Sequence, residues 1–152
     1  MEPSILKIGD WTDQATKQLL QLAVNKKRKF DKFKKYHLYS VWWTVISAFI
    51  FLYYINETVI EPYDDSFQVM ISVFVDHPFH LYMVLIIGGS FGGMNVLKKK
   101  KTKAEDEYHE LRREIVDRSK DLWKHEVAWK KRHLVLDMMK KEFNINLYHE
   151  TK

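Results

Sequence analysis

Residues 36–55 read YHLYSVWWTVISAFIFLYYI, twenty positions without a formal charge. An α-helix of that length spans roughly 30 Å, the thickness of a bilayer's hydrocarbon core. A second uncharged stretch, residues 77–97, reads HPFHLYMVLIIGGSFGGMNVL, twenty-one positions. Each stretch carries nine Leu, Ile, Val or Phe residues. At roughly −0.3 to −0.6 kcal/mol each near a helix centre, these favour insertion, and the glycines of the second stretch reduce the margin. Tyr36, Tyr39, Trp42 and Trp43 sit toward one end of the first stretch, and Tyr53 and Tyr54 at the other. Amphipathic rings take those places at the two headgroup zones. The competing reading is a pair of core helices in a soluble protein. A chain of 152 residues has little further apolar sequence with which to cover them.

The net charge of +5 invites a nucleic-acid reading, but the charges are segregated. No Lys or Arg occurs from His37 to Leu97; nine of the 25 lie from Lys7 to Lys35 and sixteen from Lys98 to Lys152. Loops rich in Lys and Arg stay on the cytoplasmic side. Lys26, Lys27, Arg28 and Lys29 precede the first stretch, and Lys98, Lys99, Lys100 and Lys101 follow the second. The connecting segment has only the acids Glu57, Glu61, Asp64, Asp65 and Asp76. Both flanks therefore predict a two-span plasma-membrane protein with its N- and C-termini in the cytoplasm. The 35 mostly polar residues ahead of the first span argue against a cleaved signal peptide. Phe30 and Phe33, set among lysines, suit the surface of an anionic leaflet, where each Lys or Arg contributes on the order of 1 kcal/mol. Eleven acids interspersed from Glu105 to Glu150 count against nucleic acid as a partner.

The expected fold is all-α: a two-helix transmembrane hairpin with cytoplasmic helical extensions. Residues 1–35 form a basic amphipathic helix, started by Thr12 or Asp13, with Ala15, Leu19, Leu22 and Ala23 on one face. Residues 36–55 and 77–97 are the spans. Residues 56–76 are an extracytoplasmic loop in which Pro62 and Tyr63-Asp64-Asp65 turn the chain. Ser66 to Phe74, too short to span, lies along the interface as a short helix or strand. Pro78 opens the second span at a first-turn position.

Residues 98–152 are a charged helix that either continues the second span or restarts at the capping-box spacing of Thr102 and Glu105. Tyr108, Ile115, Leu122, Trp129, Leu136 and Phe143 recur every seven residues and are the candidate protein-interaction seam. The companion position, Leu111, Arg118, His125, Arg132 and Met139, is mixed, which limits any coiled coil to part of the segment. Trp123 is either an exposed binding residue or core, with core favoured. Asn144 to Lys152 is expected to fray.

Small residues mark the candidate helix-packing positions: Ser40, Thr44 and Ala48 on the first span, and Gly88, Gly89, Gly92 and Gly93 on the second. At four-residue spacing they let backbones approach, within one hairpin or between copies, and the hairpin is favoured. Neither span holds an Asp, Glu, Lys or Arg, so proton relays and ion-coupled transport are not expected. Asp76, His77 and His80 are too few for a metal site. Without cysteine, a phosphate-binding glycine loop on a strand–helix unit, or an HExxH pattern, no catalytic residue, cofactor or small-molecule substrate is expected.

The run KKRKFDKFKKYHLYSVWW entering an aromatic-rich span, with GGSFGGMNVLKKKK leading into a charged helix, resembles the YpbF-like proteins. These are small two-span membrane proteins of Gram-positive, spore-forming bacteria. The resemblance implies a bacterial plasma membrane and no known activity, and it carries over no functional residues. The expected function is a non-enzymatic membrane anchor or scaffold presenting cytoplasmic helices to another copy of itself or to another protein. The alternative is a homo-oligomeric pore lined by Ser40, Thr44 and Ser47.

Overall fold

The computed structural model describes residues 1–148. The chain is all-helical, with no strand among the described residues. Six α-helices follow in order: α1 (Pro3–Leu6), α2 (Gln14–Ile55), α3 (Phe67–Asp76), α4 (Pro78–Asp117), α5 (Ser119–Leu122) and α6 (Glu126–Phe143). A π-helical turn (Asn56–Ile60) and a 3-10 turn (Glu61–Tyr63) join α2 to α3. The helices α2 and α4 contain stretches long and apolar enough to cross a membrane. The chain divides into two compact units, one from residues 1–32 and 102–152, the other from residues 33–101.

In the first unit Asp13 starts α2. Its carboxylate accepts the Thr16 backbone N–H at 3.0 Å, satisfying one of the free donors of a helix N-terminus. The preceding segment is tied down by polar contacts. The Glu2 N–H donates to the Gln21 side chain (2.7 Å), and Lys17 Nζ donates to the Ile8 carbonyl (2.7 Å). Ile5, Leu20, Ala23 and Val24 are buried in this unit, as are Ala104, Tyr108 and Ile115 of α4. Ala104, Tyr108, Leu111 and Ile115 are spaced four, three and four apart, the stripe by which two helices interlock side chains. Thr102 starts no new helix, because α4 runs through it unbroken.

The sevenfold seam does not run along one helix. The chain leaves α4 at Asp117, makes the single turn α5, breaks at Trp123, and restarts at Glu126 behind an extended His125. Tyr108, Ile115 and Leu136 are consequently buried inside the unit, whereas Leu122, Trp129 and Phe143 are half-buried. Trp123 is 1 % exposed and is the largest of the fully buried side chains.

The expected fraying from Asn144 onward fails over the described part. Asn144 takes a left-handed conformation (φ 55°), which Asn tolerates better than most residues and which commonly ends a helix. The chain then reverses, the Ile145 N–H bonds to the Met139 carbonyl, and Ile145 and Leu147 are buried. Arg112 Nε donates to the Asn146 carbonyl, and the Tyr148 hydroxyl to Asp137 at 2.6 Å. Residues 149–152 of the expected frayed segment lie outside the described residues.

In the second unit, Ser66 to Phe74 resolves as helix: α3 opens at Phe67 after a turn closed by the Ser66 N–H on the Tyr63 carbonyl. Pro78 sits at the first position of α4, where its missing donor is harmless. In the first turn of α4, His80 is 2 % exposed; its Nδ1 lies 3.0 Å from the Phe74 carbonyl, and its ring packs on Phe74 and Tyr54.

Trp123→Ala removes the largest buried side chain of the first unit. It is expected to destabilise that unit by about 3–5 kcal/mol, read as a lowered Tm by near-UV circular dichroism of the full chain in detergent.

Candidate functional site

The outward face of the second unit is apolar. Tyr39, Trp42, Trp43, Phe49, Ile50, Leu52 and Tyr53 of α2 are exposed, as are Leu81, Tyr82, Leu85, Ile86 and Phe91 of α4. Soluble monomers rarely expose so many contiguous large apolar side chains. The covered positions of this unit include small and polar residues beside apolar ones. Thr44 is buried, and Ser40, Ser47, Ala48 and Ser90 are half-buried. Their hydroxyls are satisfied within their own helices: Thr44 donates to the Ser40 carbonyl (2.9 Å), Ser47 to that of Thr44 (3.0 Å), and Ser90 to that of Ile86 (2.8 Å).

The glycines depart from the favoured expectation. Along α4 the half-covered positions are Met83, Ile87, Ser90, Met94 and Leu97, again spaced four and three apart. Gly88, Gly89, Gly92 and Gly93 fall between them and are exposed. A Cβ built on any of the four meets nothing within 4 Å. The first-span stripe Ser40, Thr44, Ala48 is therefore covered within the unit, and the glycine stripe is not. The reason is register: the covered face of α4 is set by its larger residues, which fill space that glycines leave empty.

The basic cluster before the first apolar stretch is engaged inside the first unit. Lys26 and Lys29 bind Glu107 of α4 at 2.6 and 3.3 Å, Lys27 binds Asp31 at 2.9 Å, and Arg28 binds Glu2 at 2.6 Å. The Lys27 ammonium also lies 5.2 Å from the Phe30 ring centre and 5.5 Å from that of Tyr108, and those two rings stack at 6.2 Å. Two lysine hydrogen bonds hold the Glu107 carboxyl below its ordinary value. Burial pushes the Tyr108 phenol up; Asp31 adds to that effect and Arg112 opposes it. Lys98, Lys99 and Lys100 are exposed, and Lys101 is half-buried.

A cavity of about 540 Å³ opens in the first unit, where the end of α4, α5, α6 and the returning C-terminal segment meet. Ile115, Val116, Leu136 and Leu147 give it aliphatic walls, and Trp123 and Trp129 aromatic ones. Ser119, Lys120, Arg132, His133 and Tyr148 complete the lining, which contains no carboxylate. The Arg132 guanidinium lies flat on Trp129, 3.5 Å from the ring centre, and donates to the Trp129 carbonyl at 2.7 Å. His133 Nδ1 is 2.9 Å from the Lys130 carbonyl. The buried Trp123 indole N–H has no hydrogen-bond partner. The Tyr148 phenol is raised by its bond to Asp137. The pattern left this cavity unread, because its walls are assembled only by the breaks at Asp117 and Trp123 and by the reversal at Asn144.

Among the described residues, no group of three His, Asp or Glu side chains is placed to hold a metal ion. Near His77 and His80 the dominant contact is ring stacking at 4.9 Å. Residues 19–150 match the model of a family described as protein of unknown function (DUF2663). Over all 152 residues, and all of the relative, the chain is 33 % identical to a protein of Bacillus subtilis (strain 168) described as uncharacterized protein YpbF. No solved structure matches the chain.

Two outcomes follow from the glycine faces and the Glu107 cluster. Gly88→Ala and Gly92→Ala are expected to leave the fold intact, with stability unchanged or raised by up to about 1 kcal/mol per site from the lower entropy of the unfolded chain. A marked fall in the Tm of either variant would place these glycines in a packed contact. Glu107→Gln is expected to lower Tm only where the wild-type carboxyl is ionised. Because the folded-state value lies below the ordinary 4.5, the stabilisation is complete above that pH and disappears as acid protonates the folded form. Tm profiles of the two chains should therefore separate at neutral pH and converge in acid, with a small gap, as for other solvent-accessible ion pairs.

Proposed function

We propose, on the premise that this chain belongs to the family described as protein of unknown function (DUF2663), that it is an integral membrane anchor that presents a folded helical unit in the cytoplasm. Residues 33–101 form the two-helix transmembrane hairpin, and residues 1–32 and 102–148 form the unit that it holds. The observation that carries this reading is a contrast in burial. In the first unit the large apolar side chains Ile5, Leu20, Ile115, Trp123 and Met139 are inside. In the second, Trp42, Trp43, Phe49, Ile50, Leu85 and Phe91 are exposed, while the buried Thr44 and the half-buried Ser40, Ser47 and Ala48 share the covered side with Met83, Ile87, Met94 and Leu97. Such exposure of large apolar side chains is stable where lipid is the solvent. Between the helices packing replaces the hydrophobic drive, and each backbone polar group is satisfied within its own helix.

The segregated Lys and Arg residues support a plasma-membrane topology with both termini inside. The acidic 56–76 connection, with α3 lying along the interface, is then outside. The pairing of Lys26, Lys27, Arg28 and Lys29 with neighbouring carboxylates leaves the exposed Lys98, Lys99 and Lys100 as the basic groups most open to an anionic leaflet. The unit held at the membrane is suited to binding a ligand, a second copy or another protein, and no side-chain constellation on it suggests catalysis. A pore draws less support, because Thr44 is buried within its own unit and the Thr44 and Ser47 hydroxyls are bonded to their own helix.

Because the chain has no cysteine, single thiols report its placement. In intact cells a membrane-impermeant maleimide should label Asp65→Cys, and should label Lys124→Cys only after permeabilisation. Equal labelling of both positions from outside, or recovery of the chain in the aqueous fraction without detergent, would overturn the assignment.

A further inference from the structure

We infer that the cavity between α4, α5 and α6 is a binding site for a small phosphate ester: an anionic head carried on a compact apolar group. The head is met by Lys120, Arg132 and His133, and the apolar part lies against Val116 and Trp129. The inference goes beyond the anchoring role and does not depend on the bilayer.

Several independent features converge on an amphipathic anion. The volume, about 540 Å³, falls within the range of roughly 300–1,000 Å³ typical of small-molecule sites. Three basic side chains and no carboxylate line it, although eleven acids occur between Glu105 and Glu150. The positive lining is thus a local departure from a mixed-charge segment, and an anion bound there meets no like charge. Arg132 is pre-positioned, with its guanidinium stacked on Trp129 and one N–H fixed on a carbonyl. A stacked guanidinium has less freedom to lose when its remaining N–H groups engage an oxyanion. Val116 and Trp129, the half-buried apolar residues of the lining, leave apolar surface beside these basic groups, which favours a head carried on an apolar group over a bare inorganic ion.

The same chemistry is offered by a soluble phosphate monoester and by the headgroup of an anionic lipid. The test uses the full chain in nanodiscs of zwitterionic lipid, phenyl phosphate as the probe, and saturation-transfer difference NMR as the readout. Phenyl phosphate is expected to bind saturably, with phenol and inorganic phosphate each binding more weakly than the joined molecule. Lys120→Gln, at an exposed position, and Arg132→Gln are each expected to weaken binding about tenfold, the loss of one charge-assisted contact. Thermal unfolding of each variant establishes that the unit is folded; if Arg132→Gln unfolds it, Lys120→Gln alone decides. Phosphatidic acid added to the nanodiscs identifies the source. Displacement of the probe assigns the site to a lipid headgroup, and undiminished binding assigns it to a soluble ester. Absence of saturable binding at millimolar phenyl phosphate, or unchanged affinity in the folded Lys120→Gln variant, would overturn the inference.

Discussion

Along α4 a covered stripe runs through Met83, Ile87, Ser90, Met94, Leu97, Lys101, Ala104, Tyr108, Leu111 and Ile115, alternating steps of four and three. A helix that holds one such stripe toward a partner must place everything between those steps on its other faces. This is the constraint on which the remaining features rest. Within the second unit, the stripe leaves the glycines and the large apolar residues outward. Within the first unit, the same spacing places Ala104, Tyr108 and Ile115 under cover, and the intervening charges are exposed or, as with Glu107 and Arg112, half-buried and bonded to other parts of the unit. One period thus runs through both units, with the composition of the uncovered faces changing and the covered stripe persisting.

Much of this was legible in the residues. The two uncharged stretches, the all-helical class, the Asp13 start and Pro78 as a first-turn residue all follow from local rules of length, capping and backbone geometry. The glycine faces did not follow, because GxxxG spacing says that a close approach is available without saying which face the rest of the helix commits to its neighbour. The sevenfold series from Tyr108 to Phe143 was misleading for a related reason. Periodicity assumes an unbroken helix, and no Gly or Pro between Lys101 and Lys152 signals the breaks at Asp117 and Trp123. Those breaks accompany the burial of the Trp123 side chain, a tertiary feature that local propensity does not encode.

The basic cluster shows how one set of side chains serves two readings. As charges counted along a chain, Lys26 to Lys29 orient a neighbouring apolar segment. As side chains in a folded unit, they close on Glu2, Asp31 and Glu107. Under the proposed topology the two are compatible, because the count of basic residues in a loop acts on an inserting segment and the ion pairs act within the folded unit.

The reversal at Asn144 bears on how the protein can be handled. The last long helix ends at Phe143, an inviting place to shorten the chain or to attach a fluorescent or affinity module. Ile145 and Leu147 lie beyond that point and fill the interior, and Arg112 grips the Asn146 carbonyl. A chain trimmed at the helix end would lose two interior side chains and open the floor beneath Met139 and Trp123. A module attached beyond Tyr148 would leave that closure intact.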